Sequence, residues 1–326
     1  MSDLYPWLES SRDSLTAVIN QGRLPHALLL TGQPGLGKGE FATHLAAQLL
    51  CEDRTDACTP CGRCPGCLQF RAGTHPDFFQ VQPEEDATVI KVDQIRQLSE
   101  KLSLSSHQGG YQVAVLNPAD TMNLNAANSL LKTLEEPSDN TVLVLITAQP
   151  AQLPATVRSR CQQVRIEIPD SKVALDWLQQ QGHGEVAQTY LQLAHGAPLE
   201  ALKQAQVDSI GARRERFAAL VGILENRVSP LLVAQGWCKD EDMQGIRWMR
   251  EWLMDLLRIS VSGQINQVRS ADLQDGLLAL ARRLDNRMLF ELLERINRTL
   301  RLTAGSLNRQ LLTEDILLAW AAQGKG

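Results

Sequence analysis

The chain has 326 residues, 44% of them hydrophobic and 21% charged, which fits a folded protein and excludes a disordered one. Lys and Arg number 32 against 37 Asp and Glu, a formal net charge of -5, so the chain lacks the basic excess of a protein that wraps DNA by itself. Any nucleic-acid role is therefore expected to be shared with other chains. The opening Met1-Ser2-Asp3-Leu4-Tyr5-Pro6-Trp7 has neither the basic region nor the apolar core of a secretory signal. No apolar run approaches the ~18 residues of a membrane helix. Seven cysteines without an export signal indicate metal binding or free thiols rather than a disulfide framework, and the cytoplasm is the expected compartment.

In chain order, Ala27–Thr31 is an apolar run stopped by Gly32, the pattern of a buried parallel strand. A glycine-rich loop follows, then a helix over 40–50 with Phe41, Leu45, Ala46 and Leu49 at helical spacing. Phe78–Val81 is a second strand. Val92–Leu104 is an amphipathic helix with Ile95, Leu98 and Leu102 inward. Val113–Leu116 is a third strand ended by Asn117-Pro118, and Asn125–Glu136 is a helix that stops before Pro137. Strands over 142–147 and 164–168 complete the set. Strands alternating with helices imply a parallel sheet.

After Pro169 helical patterns take over. Short helices over 171–181, 185–194 and 199–206 form a small unit. A second helical block starts near Ile210, with its strongest segments at 246–259, 271–284, 287–302 and 308–322. Trp177, Trp237, Trp248, Trp252 and Trp320 lie in this helical part, where core packing is the expectation. No repeat of fixed period and no low-complexity tract is present.

Gly32-Gln33-Pro34-Gly35-Leu36-Gly37-Lys38-Gly39 matches the phosphate-binding loop GxxxxGK[ST] at every fixed position except the last. Glycines let successive N–H groups converge on phosphate oxygens, the following helix offers its positive end, and the lysine neutralises phosphate charge. A Ser or Thr at the last position would place its hydroxyl on Mg²⁺, and Gly39 has no side chain. The strand over 113–116 ends in Asn117-Pro118, where a magnesium-binding carboxylate is needed, and Asp120 lies where the backbone has turned away. Both losses argue against hydrolysis at this site. Binding of ATP without hydrolysis, through Gly32, Gly35, Gly37, Lys38 and Gly39, stays open.

Cys51, Cys58, Cys61, Cys64 and Cys67 crowd one stretch. Closely spaced C-x₂-C pairs in such a chain indicate metal, and a tetrahedral thiolate site suits Zn²⁺, with an iron–sulfur cluster as the alternative. There are five candidates for four places. Arg54, Arg63 and Arg71 are too few to argue direct DNA contact by this module, and Cys161 and Cys238 read as small apolar residues.

The loop, together with Ala72-Gly73-Thr74-His75-Pro76-Asp77, Asn128-Ser129-Leu130-Leu131-Lys132-Thr133-Leu134-Glu135-Glu136-Pro137 and Val157-Arg158-Ser159-Arg160-Cys161, resembles the AAA+ clamp-loader subunits of bacterial DNA polymerase III. Within that family Gly39, Asn117 and Pro118 match the delta-prime branch, which lacks hydrolytic machinery, better than the gamma/tau motor branch; Leu199 stands where the motor branch has a sensor arginine. The resemblance implies a RecA-like AAA+ domain over 1–168 with a zinc-binding insert at about 51–67, a helical lid over 169–208 and a helical collar over 209–326. It implies an arginine finger at Arg160, reaching a neighbouring subunit's ATP site, with Arg158 ranked second, and a sensor position at Thr147 with a structural role. It selects Cys51, Cys61, Cys64 and Cys67 as zinc ligands with Cys58 as the alternative; a ligand more distant in sequence also closes a tetrahedron more easily. The implied hetero-oligomer contains gamma/tau motor subunits and a delta subunit, and loads the sliding clamp on primed DNA during DNA replication. Two rival functions remain: an active clamp-loader motor ATPase, and a zinc-dependent nucleic-acid binder.

Overall fold

A computed structural model describes residues 4–53, 59–85, 87–184, 186–207, 209–240, 243–263, 268–302 and 308–325. Cys58 and Arg54 lie outside the described residues, as does Glu185 at the start of one expected helix. The chain divides into two compact units, one of residues 1–176 with 197–200, the other of 177–196 with 201–326. No helix among the described residues is long and apolar enough to cross a membrane.

The first unit holds five parallel strands: β1 (Ala27–Thr31), β2 (Phe78–Val81), β3 (Gln112–Leu116), β4 (Thr141–Thr147) and β5 (Gln162–Arg165). Their order is β2-β3-β4-β1-β5. Every residue of β1, β3 and β4 is buried, because helices cover both faces of a parallel sheet and the strands read as unbroken apolar runs. Helix α1 is Glu9–Asn20, α2 Lys38–Leu49, α3 Pro65–Arg71, α4 Val92–Leu102, α5 Leu124–Glu135 and α6 Ala155–Arg158. Ile95, Leu98 and Leu102 of α4 are buried as expected. They join Leu130 and Leu134 of α5 and Leu143 and Leu145 of β4 in one core. Each such side chain contributes about 1.5–3 kcal/mol by leaving water.

The fifth strand differs from its expected span of 164–168. It starts at Gln162, paired with Leu28, and Arg165 pairs with Thr31. The Ile166 N–H makes a last bond to the Thr31 carbonyl, beyond which Gly32 leaves the sheet and residues 167–168 have nothing to pair with. The alternation of Val164, Ile166 and Ile168 suggested a longer strand, while Gln162 and Gln163 look polar because an edge strand leaves them exposed.

Helices follow: α7 (Ser171–Gln180), α8 (Ala187–Leu193), α9 (Pro198–Gln206), α10 (Ser209–Leu224), α11 (Pro230–Trp237), α12 (Gln244–Ser262), α13 (Gln274–Ala281), α14 (Asn286–Leu302) and α15 (Arg309–Ala321). This is the expected α/β-then-all-α order. The expected helix over 271–284 is instead a 3₁₀ turn at Ala271–Leu273 followed by the shorter α13. Trp237, Trp248, Trp252 and Trp320 are buried in the second unit's core. The Trp320 indole N–H donates to the Leu220 carbonyl, 2.9 Å, and Phe217 meets Trp252 edge-on at 5.4 Å.

A buried cation sits in that core. Arg213, 2% exposed, reaches Glu251 at 3.1 Å, Asp272 at 3.3 Å and the Ser270 hydroxyl at 3.1 Å. Its guanidinium also lies 5.5 Å from the rings of both Trp248 and Trp252. Arg213→Ala leaves the buried Asp272 and Glu251 carboxylates without their cation, and is expected to cost the second unit about 3–5 kcal/mol in a urea titration followed by tryptophan fluorescence. Arg213→Lys, which keeps the charge but not the planar fork, is expected to recover part of that loss.

Candidate functional site

The C-terminal end of β1 runs directly into the glycine loop and α2. Gly37 is the residue before α2 and has φ +81°, and Gly35 has φ +78°, conformations that glycine adopts without strain. Both close approaches depend on the missing side chains. A Cβ on Gly37 would lie 2.7 Å from the Tyr5 ring, and one on Gly35 would lie 2.7 Å from Cβ of Glu200. The loop is thus covered from two sides. Tyr5 and Trp7 stack at 4.9 Å and the Trp7 indole N–H donates to the Leu36 carbonyl, 2.9 Å. On the other side the Leu199 N–H donates to the Gly35 carbonyl, 3.1 Å.

Lys38 is buried, and its ammonium donates to the carbonyls of Gly32 and Gln33, both at 2.8 Å. Burial pushes its pKa down, and the carboxylates of Asp120 and Glu40 oppose that shift. The Asp120 carboxylate is thus close enough for its charge to act on the lysine. Its Oδ1 is buried with no hydrogen-bond partner among the described residues. A Cβ on Gly39 would sit 3.5 Å from the Asn117 amide nitrogen, so a neutral amide faces the first turn of α2 beside Lys38. Thr147 is level with Thr31 at the end of β4, fully buried, and its hydroxyl accepts from the Gln149 N–H, 2.9 Å.

Arg160 lies at the opposite end of the sheet, two residues before β5. It is exposed; one terminal nitrogen donates to the Thr156 carbonyl, 3.0 Å, and the other meets the Glu135 carboxylate at 2.5 Å. Arg158 is also exposed and makes no ion pair among the described residues. No local pattern signals the Glu135 partnership, which joins residues far apart in the chain, or the Tyr5 and Trp7 cover.

Cys51, Cys61, Cys64 and Cys67 come together, with all four sulfurs within 4.8 Å of one another. Sγ of Cys51 and Cys64 are 3.9 Å apart, as are those of Cys61 and Cys67. Tetrahedral ligands at about 2.3 Å from a zinc ion stand about 3.8 Å apart, so these four residues could hold such a metal. Backbone N–H groups of Cys61, Cys64 and Cys67 each donate to a cysteine sulfur at 3.4 Å, stabilising thiolate charge. Burial raises the Cys51 and Cys67 thiols. At Cys64 burial also pushes up, but backbone donors led by Cys67 and hydrogen bonds from neighbouring thiols outweigh it and bring the thiol down to about 6. Nearby, Nδ1 of His75 accepts from the Asp77 N–H, 3.2 Å, in keeping with a hydrogen-bonding turn residue.

The family described as "DNA polymerase III, delta subunit" matches residues 8–170, and its C-terminal counterpart matches residues 208–322. The chain is 34% identical over 330 residues to DNA polymerase III subunit delta' of Pseudomonas aeruginosa, covering 99% of this chain and 98% of that one. It is 33% identical over 319 residues to the Escherichia coli subunit delta', covering 96% and 94%. DNA polymerase III subunit tau of Escherichia coli is 35% identical over 159 residues, 48% of this chain and 24% of tau.

Elemental analysis of the purified protein is expected to find one divalent metal ion per chain. Cys51→Ser or Cys64→Ser should lose it and Cys58→Ser should keep it. Because thiols must deprotonate to bind, affinity is expected to weaken as pH falls.

Proposed function

The chain belongs to the delta-prime family of DNA polymerase III clamp-loader subunits, and from that membership we propose that it is a hydrolysis-deficient AAA+ subunit that completes a neighbouring subunit's ATP site through Arg160. One observation carries this reading. Gln162 is level with Leu28 and Arg165 with Thr31, so the turn that carries Arg160 enters β5 at the far end of the strand, about 13 Å or more from the level of Gly32. An arginine so placed cannot reach its own loop, and being exposed it is free to meet a phosphate on another chain.

In that role the guanidinium stabilises the charge that spreads over the γ-phosphoryl oxygens as water attacks and the bond to the bridging oxygen breaks, worth roughly 10³–10⁵ in rate when supplied in trans. The chain's own loop lacks the parts for this step. Gly39 and Asn117 offer magnesium neither a hydroxyl nor a carboxylate, and the Lys38 ammonium is occupied by loop carbonyls. Any ATP bound there would stay intact.

The remaining parts follow the same reading. Residues 1–168 form the RecA-like domain, 169–208 the lid and 209–326 the collar that holds the ring. Zn²⁺ on Cys51, Cys61, Cys64 and Cys67 folds the surface insert. Gamma/tau motor subunits and a delta subunit are the partners, and the assembled complex opens the sliding clamp and places it on primed DNA.

Two measurements test this. The isolated chain is expected to hydrolyse ATP no faster than its Lys38→Ala variant; turnover that Lys38→Ala abolishes would instead identify a motor ATPase. In the reconstituted complex, Arg160→Ala in this chain is expected to slow turnover at the site it serves by about 10³-fold. Unchanged turnover with intact assembly would contradict the proposal.

A further inference from the structure

The exposed Glu135–Arg160 pair is placed where helix stability does not ask for it. Glu135 is the last residue of α5, the helix end that carries negative partial charge and disfavours an acid. An exposed ion pair also adds little to stability. Yet the end of α5 is held firmly. The Thr133 and Ser99 hydroxyls share a hydrogen bond of 2.9 Å, tying α5 to α4, and His26, just before β1, bonds the Leu134 carbonyl at 3.0 Å. On the other side, Arg160 is flanked by the fully buried Val157 and by Cys161, which packs on the same core as α5. Two fixed backbones thus bring a carboxylate and a guanidinium together at 2.5 Å.

We propose that Glu135 is a positioning residue that orients Arg160 for the neighbouring ATP site, an inference that rests on the trans role of Arg160 given above. A guanidinium carries five N–H donors. The bonds to Thr156 and Glu135 use two of them, one on each terminal nitrogen. Nε–H and the second hydrogen on each terminal nitrogen stay available, so Arg160 can contact a phosphoryl group without releasing either intrachain partner. The pair sets the direction of a long side chain before the neighbour arrives. Glu136, the next acid, has no ion pair among the described residues, so its removal serves as the control.

The test is steady-state ATP turnover by the reconstituted complex, with substitutions in this chain only. Glu135→Ala is expected to lower kcat by about 10- to 100-fold, the cost of misplacing a catalytic group, with the KM for ATP unchanged. Glu135→Gln, which keeps an acceptor oxygen, should recover most of that loss, and Glu136→Ala should lose nothing. Combined with Arg160→Ala, Glu135→Ala should cause no further loss, whereas a merely structural role would add to it and would lower the melting temperature of the isolated chain. Wild-type or faster turnover by Glu135→Ala beside a slow Arg160→Ala overturns the positioning role alone. Unchanged turnover by Arg160→Ala overturns the functional reading beneath it.

Discussion

The parallel register between β1 and β5 is the constraint on which the rest depends. Parallel strands give the sheet two unlike ends, and loops at the carboxyl ends are where such folds bind phosphates. Here the carboxyl end of β1 carries Gly32 to Lys38, and the turn that enters β5 at the other end carries Arg160. Leu28 paired with Gln162 fixes the separation between them. Neither group can act on the other's ligand. The sheet therefore has one end that carries the glycine loop and Lys38 and another that carries Arg160.

The two ends have diverged in chemistry. At the carboxyl end, Lys38 bonds its own loop, Asn117 stands beside Gly39, and Tyr5 and Glu200 pack where glycine side chains would be. The fields of Asp120 and Glu40 partly offset the penalty of burying an ammonium. At the amino end the charged groups remain exposed and geometrically fixed. The cysteine group is a separate solution to a small surface insert with little apolar area. Four thiols converge in an arrangement that could hold a metal ion, and a metal site supplies folding energy that so short a segment cannot gain by burial.

Much of this was legible in the residues because the signals are local. The run Ala27–Thr31 followed by Gly32 to Lys38 announces strand, loop and helix within a few positions, and C-x₂-C spacing announces a ligand set. Four strands and the inward face of α4 follow from periodicity alone. What escaped depends on contacts distant in sequence. Glu135 and Arg160 belong to separate motifs, and the Leu199 bond to Gly35 spans two parts of the chain. Arg213 sits in a helix whose pattern gives no hint that its guanidinium is buried between Trp248 and Trp252. The start of β5 was masked by the polar Gln162 and Gln163, and α1, with only Leu15 and Thr16 buried, reads as a polar segment.

The proposed trans role of Arg160 requires it to lie beside a nucleotide held by another chain. It is tested most directly by placing a spin label at that position, as Arg160→Cys modified with a nitroxide, and adding Mn²⁺ with a non-hydrolysable ATP analogue. Strong paramagnetic broadening is expected in the assembled complex and markedly weaker broadening in the isolated chain, whose own loop lies at the other end of the sheet. A label that stays sharp in the complex, or that broadens equally in the isolated chain, would contradict it.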